Sequence, residues 1–178
     1  MSPPDPQPSA EALEVVPLVE AAREGDRHAF GRLYGAYGRM VHGILLARVP
    51  RDDVDDLVQE VFLKALGQLP RLRDPRSFGA WLATIARNAA TDRFRRRAPE
   101  DELAEDLAAP QSSEAETLGV LRLIRALPEA YREPLVLRLV EGMTGPEIAE
   151  RTGLTAGSVR VNLSRGYAML RERLGERP

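Results

Sequence analysis

The chain has 178 residues, 43% hydrophobic, 29% charged and 5% aromatic, with a formal net charge of −2. That length fits one ordinary domain or two small ones, and the composition excludes wholesale disorder and fibrous structure while favouring aliphatic helix packing. With no cysteine and two histidines, disulfides, thiol catalysis, thiolate zinc and iron–sulfur chemistry are excluded, and no metal site or cofactor is expected.

Residues Met1 to Pro8 contain four prolines and no large apolar anchor, so a disordered tail is expected over 1–16, with no basic flank and apolar run of a secretion signal. A first helix is predicted from Pro17, at its first turn, to Gly25. Asp26 caps a longer helix carrying Phe30, Leu33, Tyr34, Tyr37, Val41, Ile44 and Leu45 at helical spacing. After Pro50, Asp52 or Asp53 caps a third helix striped by Val54, Leu57, Val58, Val61, Phe62, Ala65, Leu66 and Leu69. A fourth begins at Ser77, with Trp81, Leu82, Ile85, Ala86, Ala89 and Phe94 on one side. These make a helical bundle over 17–97. A flexible acidic linker is expected over 98–113, followed by a second helical domain over 114–175. Its first helix carries Leu118, Leu121, Ile124 and Leu127, and its second runs through Leu135, Leu139 and Val140 to Gly142, with a kink or late start at Pro134. The fold class is all-α, two small helical domains on a tether. No apolar stretch approaches the roughly 20 residues that span a bilayer, so no membrane insertion and a cytoplasmic location are expected.

Charge is unevenly distributed. Residues 71–97 carry a local net of +6, residues 100–116 carry −7 and residues 151–177 carry +4. Two basic zones flanking an acidic insert suit a polyanion touched at two places, although solvated helical faces fit the same charges. Thr144-Gly145-Pro146-Glu147 is a capping box opening a short helix that stops at Gly153, and Thr155 opens a longer one. That arrangement is a helix-turn-helix, which offers Ser158, Arg160, Val161, Asn162 and Arg165 to base edges and phosphates; an ordinary helical hairpin is the alternative.

Three blocks carry a resemblance: Asp55-Asp56-Leu57-Val58-Gln59-Glu60-Val61-Phe62-Leu63-Lys64-Ala65, then Phe78-Gly79-Ala80-Trp81-Leu82-Ala83-Thr84-Ile85-Ala86-Arg87-Asn88, then Leu127-Pro128-Glu129 through Glu147-Ile148-Ala149 to Val159-Arg160. Over about Leu18 to Leu174 the chain resembles the extracytoplasmic-function group of bacterial sigma-70-type sigma factors. The resemblance implies a promoter-specificity subunit of RNA polymerase built from a region 2 domain and a region 4 domain. It implies that Asp55, Asp56, Gln59 and Glu60 dock on the β′ clamp helices, while region 4 faces the β flap. It also implies that the loop Leu72 to Ser77 with Ile85 and Asn88 forms a pocket for an extruded minus-ten base, with Arg87, Arg93, Arg95, Arg96 and Arg97 along the backbone. Arg160 and Arg165 match positions used toward the minus-thirty-five element, whereas Val161, Asn162 and Ser164 depart from the usual polar residues.

Partners implied by the resemblance are core polymerase, promoter DNA and a candidate anti-sigma protein, with no small-molecule substrate. The competing reading is a stand-alone helix-turn-helix regulator with a sensing or partner-binding N-terminal bundle. An enzyme is not expected: no catalytic residue is assigned, since His28 and His42 lack a neighbouring nucleophile or ligand cluster and fit surface or packing roles, and phosphate-loop and dinucleotide fingerprints are absent.

Overall fold

A computed structural model describes residues 10–96 and 112–175. Most of the expected tail, the linker over 98–111 and Arg97 lie outside the described residues. Among those described there are eight α-helices and no strand: α1 Ala10–Arg23, α2 Arg27–Leu46, α3 Arg51–Gln68, α4 Phe78–Arg96, α5 Ser112–Arg125, α6 Glu129–Leu139, α7 Gly145–Thr152 and α8 Ala156–Arg173. Two 3-10 turns, Leu69–Arg71 and Pro75–Ser77, join α3 to α4.

Helices α1 to α4 form the N-terminal bundle. The Asp26 carboxylate accepts from the backbone N–H of His28 at 2.8 Å and of Ala29 at 3.1 Å, fixing the start of α2. Leu33, Met40, Val41, Ile44 and Leu45 then fall on the inward face of α2, fully buried. Aromatic rings pin its outer edge, with Tyr34 against Phe62 at 4.3 Å between centroids and Tyr37 edge-on to Phe78 at 5.1 Å. Trp81, on the apolar side of α4 that its spacing gives, is half-buried against Phe78 at 5.8 Å.

Three boundaries differ from expectation. Helix α1 begins at Ala10 and carries Pro17 in its interior, because Val19 and Ala22 beyond the proline are buried and hold the helix through one lost hydrogen bond. Pro50, and neither Asp52 nor Asp53, is the N-cap of α3. Helix α4 starts at Phe78, one residue after the expected Ser77, which closes a 3-10 turn. The apolar stripes also overrun their cover: Leu66 is 44% exposed and Phe94 72% exposed.

Helices α5 to α8 form the second unit. Helix α6 begins at once after Pro128 and runs through Pro134, so the expected late start does not occur; the buried residues Leu135, Val136 and Leu137 hold it. The capping box of α7 is complete, with the Thr144 hydroxyl accepting from the Glu147 N–H at 3.3 Å and the Glu147 carboxylate accepting from the Thr144 N–H at 2.7 Å. Gly153, at φ 74°, ends α7 in the left-handed conformation a turn requires. Thr155 caps α8 by accepting from the Ser158 N–H at 3.1 Å. On α8, Gly166 lets Leu135 of α6 come close enough that an added Cβ would lie 2.9 Å from its Cδ1.

The two units are not held apart. Helices α6 and α7 pack on α2 and α4, and the buried apolar residues of both units form one continuous core. The Arg125 guanidinium donates to the Leu46 and Val49 carbonyl oxygens, satisfying acceptors at the C-terminal end of α2. Arg151 donates to the Ala36 carbonyl and Arg39 to the Glu141 carbonyl. The described residues thus make the two helical domains that the sequence leads one to expect, and the two are in contact.

Candidate nucleic-acid and polymerase interface

Helix α3 separates its faces cleanly. Val54, Leu57, Val58 and Val61 are buried, while Asp55, Asp56, Gln59 and Glu60 are all exposed along the opposite side. Asp53 leaves this acidic face: it is buried and accepts from Arg93 Nη2 of α4 at 2.6 Å. A shallow cleft of about 180 Å³ runs between α3 and α4, lined by Glu60, Lys64, Asp92 and Arg96 among others. The acidic face is therefore a rigid, solvated surface suited to a basic partner.

On the α4 side, the turn before the helix is tightly built. The Asp74 carboxylate accepts from the Arg76 N–H at 2.9 Å, and the Ser77 hydroxyl donates to the Asp74 carbonyl at 2.8 Å. Ser77, Asn88, Arg95 and Arg96 are exposed. Leu72 and Ile85 are buried, at 7% and 6%, so they form the floor beneath this surface rather than its rim. Two of the expected backbone contacts are engaged within the protein. Arg93 is bound to Asp53, and Arg87 makes a two-pronged pair with Glu133 of α6, through Nε at 3.0 Å and Nη2 at 2.7 Å.

Glu133 is the residue that sequence reasoning missed. Only 4% exposed, it also receives Arg48, in the turn after α2, at 2.8 Å. Burial opposes its ionisation, but the two guanidiniums more than offset this and hold the carboxyl below its usual range. Its neighbours along α6, Pro134 to Leu137, are all buried; a lone carboxylate beside such a run signals an internal cation partner. Nearby, His42 meets Glu141 at 2.5 Å, and that bond raises the imidazole pKa from its ordinary 6.5. His42 is thus neither free surface nor plain packing, whereas His28 is exposed.

Helix α8 presents the third surface. Arg160, Val161 and Arg165 are exposed and Asn162 is half-buried. Ser158 is exposed, but its hydroxyl accepts from the Thr155 hydroxyl at 2.8 Å, so it reinforces the cap. Val159 and Leu170 face inward. Among the described residues no cluster of three or more His, Asp or Glu side chains could hold a metal ion, and no helix is long and apolar enough to cross a membrane.

Comparison with known proteins fits this layout of surfaces. The family described as Sigma-70 region 2 matches residues 33–100, and Sigma-70, region 4 matches residues 117–170. An ECF RNA polymerase sigma-E factor of Haemophilus influenzae is 35% identical over 93% of this chain and 97% of its own length. The chain belongs to the extracytoplasmic-function sigma factors of the sigma-70 type. RNA polymerase sigma factor CarQ of Myxococcus xanthus is likewise 35% identical, over 89% of this chain and 96% of that protein. The solved structure of CnrH in complex with the cytosolic domain of CnrY aligns over 93% of this chain and 99% of that one, with a TM-score of 0.67 at 29% identity. This sigma factor is a transcription initiation factor whose partners are core RNA polymerase and promoter DNA, which sets aside the stand-alone regulator.

Proposed function

We propose that the three surfaces divide the work of initiation. Asp55, Asp56, Gln59 and Glu60 dock on the β′ clamp helices, a role supported by their exposure along one acidic side of α3. Ser77 and Asn88 receive an extruded minus-ten base over the floor of Leu72 and Ile85, while Arg87, Arg93, Arg95 and Arg96 track the phosphates. Ser158, Arg160, Val161, Asn162 and Arg165 of α8 enter the major groove at the minus-thirty-five element, with region 4 held on the β flap. The protein acts in the cytoplasm, catalyses nothing itself and uses no cofactor.

The observation carrying this reading is the segregation of charge: an acidic protein-docking face on α3 and arginine-bearing faces on α4 and α8 of one molecule. Charged faces of opposite sign select opposite partners and steer encounter. CnrH is solved with the cytosolic domain of CnrY, and we extend that to an anti-sigma protein binding this chain. The docking role is tested by Gln59→Ala with Glu60→Arg. That double variant is expected to lose co-purification with core polymerase at unchanged helical content; retained association would remove α3 from the docking surface.

A further inference from the structure

We infer that Val161 of α8 reads the C5-methyl group of one thymine in the minus-thirty-five element, and so makes this factor select a thymine there. The inference deepens the role proposed for α8 and rests on it.

The packing of α8 leaves Val161 out. The other large apolar side chains along the helix turn inward: Val159 and Leu170 are buried, and Leu163, Tyr167 and Met169 pack against the core. Val161 is 40% exposed and does not join them. Helix stability does not explain its presence either, because a β-branched residue is a poorer helix former than alanine or leucine at an exposed position. Its use therefore lies in what that surface meets.

The neighbouring residues indicate what that is. Gly157, Val161, Ser164 and Ala168 recur at four, three and four residues, so they line one side of α8, and all are exposed. A Cβ added to Gly157 would have nothing within 4 Å, and a helical side chain leans over the turn before its own Cα. The Val161 methyls thus stand over bare backbone, the one large side chain on a strip of small ones. Arg160 and Arg165 flank that strip, both exposed. Arginines on either side suit phosphates, and the small residues between them let the helix backbone come close to base edges.

Chemistry then fixes the ligand. Base edges in the major groove carry hydrogen-bond donors and acceptors, and the thymine methyl is the apolar group among them. Burying that methyl is what an exposed valine can gain there. Opposite cytosine, Val161 would cover the N4 amino group while offering it no acceptor, and stranding a polar group is costly. Attraction toward thymine and this penalty against cytosine favour the same base.

The test uses the full chain assembled with core polymerase, which selects duplexes from a pool randomised upstream of the transcription start. Each thymine of the selected upstream element is then replaced in turn by uracil, which removes the methyl and keeps every hydrogen-bonding group. At one position the wild-type holoenzyme is expected to bind about fourfold more weakly, the worth of one methyl group taken out of water. At that position 5-methylcytosine should bind better than cytosine by a similar factor. Val161→Ser should abolish the difference between thymine and uracil, while Val161→Thr, which keeps one methyl in the same shape, should retain it. Arg165→Ala should also retain it, at weaker overall binding. A selected element without thymine, or a difference that survives Val161→Ser, would overturn the inference. So would the absence of any uracil effect while Arg165→Ala still weakens binding, a result that leaves α8 as the reading helix. If neither uracil nor Arg160→Ala and Arg165→Ala changes binding, the role of α8 itself fails and the inference with it. Reduced co-purification of Val161→Ser with core polymerase, at unaltered thymine preference, would overturn it in favour of a protein contact.

Discussion

Arg93 of α4 and Asp53 of α3 meet at 2.6 Å, with the Asp53 carboxylate 10% and the Arg93 side chain 37% exposed. This bond joins α3, the proposed docking helix, to α4, the proposed minus-ten helix, and Asp53 raises the already high pKa of the Arg93 guanidinium. Asp53→Asn is expected to cost about 2 kcal/mol, the worth of a hydrogen bond to a charged group. A Tm about 4 to 8 °C lower follows for a chain of this size. A double-mutant cycle with Arg93→Ala should return a coupling above about 0.5 kcal/mol; additive losses would mean that the two side chains act separately.

The helix-turn-helix depends on two caps. Thr144→Ala removes the acceptor for the Glu147 N–H and the donor to its carboxylate, and a loss of about 1 kcal/mol in thermal unfolding is expected. The Thr144 backbone N–H and hydroxyl hold the Glu147 carboxyl below its ordinary 4.5. The stabilisation is therefore present above that value and fades as pH falls through the lowered one. Unaltered unfolding of Thr144→Ala at neutral pH would show that packing of Ile148 alone fixes α7.

The base reading proposed for α8 has its own signature. Arg165→Ala and Arg160→Ala are each expected to lower promoter-specific transcription by an amount equal to about 1 to 3 kcal/mol, with the loss confined to templates altered at the contacted base pair. A uniform loss across templates, with a shallower salt dependence, would reassign that arginine to a phosphate.

Closure should respond to pH from both sides. The bond to Glu141 raises the His42 pKa, against burial and the Arg51 charge and with help from Asp55, and Arg39 holds the Glu141 carbonyl beside it. The contribution of His42 is complete below 6.5 and is lost as pH rises through the raised value. Glu133 is held below 4.5, so its contribution is complete above that pH and is lost as pH falls through the lowered value. Contact between the two lobes is expected to be most stable between about pH 4.5 and 6.5, and energy transfer between fluorophores on Glu20→Cys of α1 and Ala168→Cys of α8 should fall from pH 6 to pH 8.5. His42→Ala should flatten that fall; an identical slope in the variant would assign the pH response elsewhere.

What could be read from the sequence follows the range of each interaction. The caps at Asp26, Thr144 and Thr155 and the stop at Gly153 are relations within three or four residues, so residue type and spacing reveal them. The exposed acidic side of α3 follows equally from its stripe. Pro17 misleads because a proline at a first turn and one within a helix look alike until the tertiary cover of Val19 and Ala22 is known. Phe94 misleads because periodicity shows which face a residue shares and not how far a neighbouring element extends over it. The fate of Arg87, Arg93 and Glu133 was illegible for a deeper reason. Their partners lie 40, 46 and, for Arg48 with Glu133, 85 residues away, and closing such contacts is a property of the whole fold that local pattern does not carry.

A pair of fluorophores on Glu20→Cys of α1 and Ala168→Cys of α8, both exposed positions, gives the most direct test when read in the free protein and again in a promoter-bound complex with core polymerase. The account expects a short distance in the free chain and a longer one on the promoter, where the two lobes are proposed to read separate elements. A distance that stays short on a transcriptionally competent complex would contradict it.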